Sequence, residues 1–247
     1  LSRFKEAEIS CKKALALRKD SADAHSNLGL VLLEQGRLDE AKASCNQAIS
    51  IKSDDAESIF NLSVILFYMN DLNNTIYSLQ NILQIDLNNY GLRARVFLAI
   101  LNFLEGDFKE SKKNLLASSK IQEKLHHKFK NEKIYHIYLL NILNWHEDNI
   151  FNNSNLIVNK DLYVIGDSHS LTNHSLKFKS FQGNFLCKSK LIMGCKQWDL
   201  GNSNINKFKV KFENVLNSLP KSSEVLLIFG EIDCRLDSGI IKHKNKF

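Results

Sequence analysis

The stretch NLGLVLLEQGRLDEA, residues 27–41, decides how the first half of the chain folds. Its apolar residues, such as Leu28 and Leu32, recur at the spacing of one face of a helix. A G-x-x-x-E-A turn then leads into a second helical pattern. Because small residues lie on both patterns, Gly29 on the first and Ala41 on the second, the two helices are predicted to pack closely together.

This pattern repeats along the chain. RFKEA (3–7), RLDEA (37–41) and DLNNT (71–75) follow one another at intervals of 34 residues. DFKES (107–111) comes two residues late, and the extra length falls near DLNNYG (86–91). Small residues recur with the same repeat. They are Gly29, Ser63 and Ala99 on the first helix of each pair and Ala41, Thr75 and Ser111 on the second. A period of this length predicts a stack of helix pairs.

Residues 1–118 resemble the tetratricopeptide repeat, which places two helices in each 34 residues. His25 and Leu32 stand where the family usually has tryptophan and tyrosine, and the usual final proline is absent. The resemblance implies an α-solenoid whose concave face binds a peptide or protein partner. The first repeat lacks its opening helix, so the sequence is expected to be part of a longer one.

Two asparagines are candidates for binding that partner. Asn27 and Asn61 occupy the same register of successive repeats, two residues before the small Gly29 and Ser63. In some arrays of this family, asparagines at this register line the groove and hydrogen-bond the backbone of a ligand. The alternative is that both are ordinary exposed polar residues.

A connector is predicted between the repeats and the rest of the chain, over residues 119–156. It begins as a basic segment and continues as an amphipathic helix. The predicted apolar stripe consists of Ile134, Ile137, Tyr138, Leu140, Ile142 and Trp145. The connector's histidines, His126, His127, His136 and His146, lack the spacing and carboxylate partner of a metal site, which favours surface or packing roles.

The last part of the chain, residues 157–247, has the pattern of an α/β unit. Three apolar runs end in glycine: DLYVIG (161–166), KLIMG (190–194) and EVLLIFG (224–230). An amphipathic helix before Pro220 separates the last two. Strands that alternate with helices predict part of a doubly wound parallel sheet. The three glycine-terminated loops should then share one edge of that sheet, where such folds carry their function.

The first of these loops, GDSHS, raises the question of a serine nucleophile. Gly166 lets the chain turn sharply after a buried strand, and a helix that begins there has free N–H groups to stabilise an oxyanion. Ser168 is therefore a candidate nucleophile. The alternative is that Asp167 or Ser168 only caps the helix.

The order of the three loops resembles the SGNH or GDSL family of esterases, which have a flavodoxin-like sheet. The resemblance implies that Ser168 is the nucleophile and that Gly194 supplies an N–H to the oxyanion hole. The third loop contains Gly230 and Asp233, whose roles are left open. Ile232 stands between them where the family has an asparagine, and its side chain cannot donate a hydrogen bond.

The general base of that family lies in an Asp-x-x-His block, which this chain does not contain. His169 is next to Ser168 and is not expected to face it, while His174 and His243 are candidates on reach alone. The sequence therefore predicts a unit truncated before that block, without measurable hydrolysis by the 247-residue chain. The intact protein would act on an acyl ester such as an acylated glycan. The alternative is an inactive protein-interaction scaffold.

The composition of the chain limits the kinds of protein to which it can belong. The chain has 247 residues, 44% of them hydrophobic, and a net charge of +6. It contains no apolar stretch long enough for a membrane helix and no secretory signal. The five cysteines form no C-x-x-C pair, which favours reduced thiols and a cytoplasmic location over zinc or disulfides. The scattered lysines favour a solvated basic face over nucleic-acid binding. No metal or cofactor is predicted.

Overall fold

The computed structural model of the chain describes residues 2–119, 129–149 and 156–229. The first half consists of helices that follow one another with short turns. These are α1 (Ser2–Leu17), α2 (Ala22–Glu34), α3 (Leu38–Ile51), α4 (Ala56–Tyr68), α5 (Leu72–Ile85), α6 (Tyr90–Leu104) and α7 (Phe108–Ala117). They pack as the antiparallel pairs α2–α3, α4–α5 and α6–α7, which confirms the predicted helical repeat.

The repeated turns have a common physical origin. Gly36, Asn70 and Gly106 hold the same position after α2, α4 and α6, and their φ angles are 76°, 66° and 82°. Glycine and asparagine adopt this left-handed conformation most readily, and it ends the helix. Asp71 and Asp107 then cap the helices that follow, because their side chains accept hydrogen bonds from Asn74 N and Glu110 N.

Small residues lie where paired helices approach. A Cβ atom added to Gly29 would come within 2.5 Å of Cys45 Sγ, so a larger residue does not fit between α2 and α3. Ser111 repeats this arrangement with a hydroxyl that donates to Ala99 O at 2.7 Å. Cys45 is fully buried and Cys11, which lies 34 residues before it, is half-buried.

The connector helix α8 (Lys130–Asn149) packs against α6 and α7 and extends the helical array. Its buried side is formed by His136, Leu139, Ile142, Leu143 and His146. The predicted stripe was therefore partly wrong: Ile134, Ile137 and Trp145 are 56%, 43% and 47% exposed. The stripe is displaced because buried histidines, read from the sequence as polar, occupy the centre of the contact.

The α/β unit contains a small mixed sheet with the strand order β2-β3-β1-β4. Its strands are β1 (Lys160–Gly166), β2 (Lys177–Ser180), β3 (Gly183–Leu191) and β4 (Glu224–Ile228). β1 is parallel to both β3 and β4, while β2 is antiparallel to β3. A 3₁₀ helix (Ser168–Asn173) follows β1, and α9 (Gln197–Gly201) and α10 (Lys207–Ser218) lie between β3 and β4.

Two features of this unit differ from the prediction. The second predicted strand, 190–194, overlaps only the end of β3, and the antiparallel β2 was not foreseen. Among the parallel strands, however, the spatial order is second, first, third. β1 therefore lies between β3 and β4.

The repeats and the α/β unit share one hydrophobic core. Leu171 of the 3₁₀ helix and Leu191 of β3 belong to the same buried cluster as Phe67 and Phe103 of the repeats. Within the described ranges, no helix is both long and apolar enough to cross a membrane.

Candidate functional site

The candidate site lies where β1 ends. Gly166 faces the neighbouring strand so closely that an added Cβ would come within 2.2 Å of Ile228 O, which explains why this position requires glycine. The next residue, Asp167, donates its N–H to the same carbonyl at 3.3 Å. The loop that carries Ser168 is thus held against the end of β4.

Asp167 caps the 3₁₀ helix. Its Oδ1 accepts a hydrogen bond from His169 N at 2.9 Å and lies 3.0 Å from His169 Nδ1. The carboxylate is almost completely buried, and its Oδ2 has no hydrogen-bond partner among the described residues. Because Asp167 performs the capping, the half-buried Ser168 is not needed for it.

Ser168 and Gly194 face the same hydroxyl group. Burial raises the pKa of Tyr135, the Asp167 carboxylate raises it further, and the Ser168 side chain and the Gly194 backbone act in the opposite direction. Groups lower the pKa of a phenol by hydrogen bonding to its charged oxygen. Ser168 and Gly194, which follow different strands, therefore both lie near the Tyr135 oxygen.

The helical array contributes further groups to this location. The hydroxyl of Tyr68 in α4 donates to Met193 O at 3.0 Å and so positions the turn before Gly194. The ring of Tyr138 lies 6.3 Å from that of His169. Tyr135 and Tyr138 were not identified as site residues from the sequence. Their i, i+3 spacing on α8 places them on one side of the helix, but nothing local indicates what that side meets.

His174 is committed to packing. It is 5% exposed, its Nδ1 accepts a hydrogen bond from Ser189 N at 3.1 Å, and its ring lies 5.2 Å from that of Phe103. Burial, with a smaller effect from His146, lowers the pKa of His174 to about 4. Its Nδ1 is thus engaged by Ser189, and a role for His174 as the catalytic base stays a prediction.

The remaining sequence-based candidates of the third loop, Gly230, Ile232 and Asp233, lie outside the described residues, as does His243. Across the described ranges, no cluster of three or more histidine, cysteine or acidic side chains is arranged to hold a metal ion.

The two asparagines of the repeats differ in environment. Asn27 is exposed on α2. Asn61 is 7% exposed, and its Nδ2 donates to Ser26 Oγ at 3.0 Å. Only Asn27 thus presents its amide to solvent, while Asn61 joins two successive repeats.

Helix α10 covers part of the face to which these asparagines belong. Lys207 pairs with Glu34 at 2.5 Å, and Lys211 Nζ donates to Phe67 O at 2.6 Å. Asn214 Nδ2 donates to Tyr68 O at 3.3 Å. These three residues, spaced i, i+4 and i+7, lie on one side of α10 and meet the carboxyl ends of α2 and α4. The α/β unit therefore occupies that part of the repeat surface.

Comparison with known proteins identifies the repeat. The family model of the tetratricopeptide repeat matches residues 22–55. Two solved structures of MamA are similar with TM-scores of 0.44 and 14% identity, and the matches cover 60% and 64% of this chain and 91% and 90% of theirs. An O-GlcNAc transferase mutant from Thermobaculum terrenum is similar with a TM-score of 0.39 and 18% identity, over 70% of this chain and 29% of that one. No curated protein sequence matches.

Proposed function

We propose that this tetratricopeptide-repeat protein is a protein-interaction scaffold. The observation that supports this most directly is the exposed amide of Asn27, at the register where related arrays bind a ligand backbone. Asp23 and Glu57 are also exposed at the amino-terminal ends of α2 and α4. Because the described contacts of α10 lie at the carboxyl ends of these helices, a peptide partner would bind along their amino-terminal ends.

This function is tested by capturing partner proteins on the immobilised full chain and measuring their affinity. A partner that hydrogen-bonds to the Asn27 amide should lose roughly three- to tenfold in affinity when Asn27→Ala is compared with the wild type. Asn46→Ala is the matched control, because Asn46 is an exposed asparagine on α3. Equal affinities for all three proteins would contradict partner binding at this register.

A second candidate function is acyl-ester hydrolysis of the SGNH type, with an acylated glycan as substrate. The approach of Ser168 and Gly194 to one oxygen atom, where β1 ends between β3 and β4, favours it. In an acyl-transfer site the nucleophile attacks the carbonyl carbon while N–H donors stabilise the oxyanion, so a nucleophile and an N–H donor must lie close to one reacting group. Against it, Asp167 engages His169 Nδ1, and no described contact links Ser168 to a general base.

The two functions are separated by the hydrolysis of p-nitrophenyl acetate. The scaffold predicts equal background rates for the wild type and Ser168→Ala. Neither function predicts measurable hydrolysis by the 247 residues alone, so the assay uses a longer chain that contains an Asp-x-x-His block. There the hydrolase predicts a rate that Ser168→Ala abolishes and that the control Ser203→Ala, a change at an exposed serine, preserves.

A further inference from the structure

The contact between the repeats and the α/β unit buries three basic side chains. We name this contact the joint and define it by Phe67, Phe103, His146, His174 and Lys211. Lys211 is 2% exposed, His146 7% and His174 5%. Basic groups are rarely buried without an acidic partner, because removal from water disfavours their charged form.

Lys211 reaches from α10 to the end of α4. Its Nζ donates to Phe67 O at 2.6 Å and to Asn70 Oδ1 at 2.9 Å, and it lies 4.2 Å from the centroid of the Phe67 ring. All of these partners are uncharged. The carbonyl at the carboxyl end of α4 and the face of the Phe67 ring attract a cation, but neither supplies the full negative charge of a carboxylate.

Both histidines contact the ring of Phe103. The His146 ring of α8 is 5.9 Å from the Phe103 ring, and the His174 ring is 5.2 Å from it. His146 also contacts Phe108 at 5.1 Å and Trp145 at 5.2 Å between ring centroids. His174 accepts a hydrogen bond from Ser189 N, which requires its Nδ1 to be unprotonated.

No carboxylate in the described ranges forms a salt bridge with any of these three groups. Two acidic residues of the helical array pair with other lysines, Glu147 of α8 with Lys112 and Glu34 of α2 with Lys207. The other charges that act on the joint come from β3 and are positive. Lys190 acts on Lys211 and His174, and Lys188 acts on His174.

A fall in pH changes the stability of the closed joint in the same direction through all three groups. Burial lowers the pKa of Lys211 from 10.5 to about 7 and that of His174 from 6.5 to about 4. Burial also lowers the pKa of His146, and a backbone hydrogen bond with His174 offsets part of this. An open joint returns each group to water, where it binds a proton more readily. The closed joint therefore loses stability as pH falls, from Lys211 between pH 10.5 and 7 and from His174 between pH 6.5 and 4.

We propose that the joint is an acid-opened contact, in which protonation of Lys211, His146 and His174 releases the α/β unit from the repeats and uncovers the aromatic surface of Phe67 and Phe103. The inference rests on the burial and partners of these groups, and neither proposed function is needed for it. If the repeats do bind a partner, opening enlarges the surface offered to it.

Hydrogen–deuterium exchange of the full chain between pH 8 and 5 tests the proposal. We expect the opening equilibrium to shift roughly 30-fold from His174 and roughly tenfold from Lys211 over this range. Exchange in peptides 64–70 and 207–216 should rise relative to peptide 38–51 of α3, after correction for the intrinsic rate. A parallel change in all three peptides would overturn the proposal.

Variants identify the groups responsible. Lys211→Met removes the charge and keeps an unbranched side chain, and His174→Gln keeps an acceptor for Ser189 N. The double variant should keep the joint closed at pH 5, whereas Lys207→Met, one turn away and paired with Glu34, should behave as the wild type. Should the double variant fail to fold, Lys211→Met alone should remove the pH dependence between pH 9 and 7. A wild-type pH dependence in a folded variant would overturn the proposal.

Discussion

The repeats and the α/β unit differ in the distance along the chain between residues that touch. In the repeats each helix packs mainly against the next one or two. In the α/β unit β1 lies between β3 and β4, so Leu162 pairs with Cys187 on one side and Glu224 on the other. A periodic sequence predicts the contacts between neighbouring helices because every repeat makes the same contacts. No local sequence pattern predicts the contacts between strands that lie far apart along the chain.

The joint shows what this difference means for function. The candidate site also draws on both regions, because Ser168 and Gly194 belong to the α/β unit and Tyr135 belongs to α8 of the helical array. Tyr68 of the repeats positions the turn of the α/β unit, and Lys211 of the α/β unit binds the end of a repeat helix. The chemistry of the molecule thus gathers where the two regions meet.

The largest expected effect tests whether the two regions unfold together. Phe103 is fully buried in the core that they share. We expect Phe103→Ala to cost ~3–5 kcal/mol of unfolding free energy, because it leaves a cavity beneath both His146 and His174. Urea unfolding followed by far-ultraviolet circular dichroism measures this. Phe181→Ala is the control, since Phe181 is 97% exposed. Loss of stability below 1 kcal/mol would argue against a shared core.

A second, smaller effect concerns the α/β unit alone. Gly166→Ala places a Cβ against Ile228 O, so β4 must move away from β1. We expect a cost of ~1–3 kcal/mol, together with faster hydrogen exchange in β4 and unchanged exchange in α3. Gly201→Ala is the matched control, because its added Cβ meets no atom within 4 Å. Similar melting temperatures for both variants would show that the close approach is not rigid.

The smallest effect compares two equivalent positions of the repeats. Asn61→Ala removes the hydrogen bond to the buried Ser26 hydroxyl and should cost ~1 kcal/mol. Asn27→Ala changes an exposed side chain and should alter the melting temperature by less than the error of the measurement. Equal losses at both positions would mean that Asn27 also has a structural role.

Prediction from the sequence succeeded where spacing along the chain carries the signal. The period of 34 residues placed the helix pairs, and the small residues placed their contacts. In the α/β unit the apolar runs of β1 and β4 were recognised, whereas β2 and most of β3 were missed. Lysines alternate with buried residues along β3, such as Lys188 with Cys187 and Ser189. Because β3 is buried on one face only, it has no continuous apolar run by which it could be recognised.

The residues of the candidate site were reached by different routes. Ser168 was a candidate because it follows an apolar strand and a glycine, and Gly194 was implied by the resemblance to the SGNH family. The sequence offered Asp167 and Ser168 as alternative caps, and the structure has Asp167 in that role. It did not reveal Tyr135 or Tyr138, because their position depends on which helix lies over the loop.

By itself the sequence determined the helical repeats, their turns and the strands that end in glycine, because spacing and backbone preference act over a few residues. Only the tertiary structure decided that Lys211 is buried and that Asn27 and Asn61 differ. On an amphipathic helix a lysine indicates solvent, yet Lys211 lies against the carbonyl groups that end α4. Burial depends on two surfaces that meet, and the sequence of one surface does not specify the other.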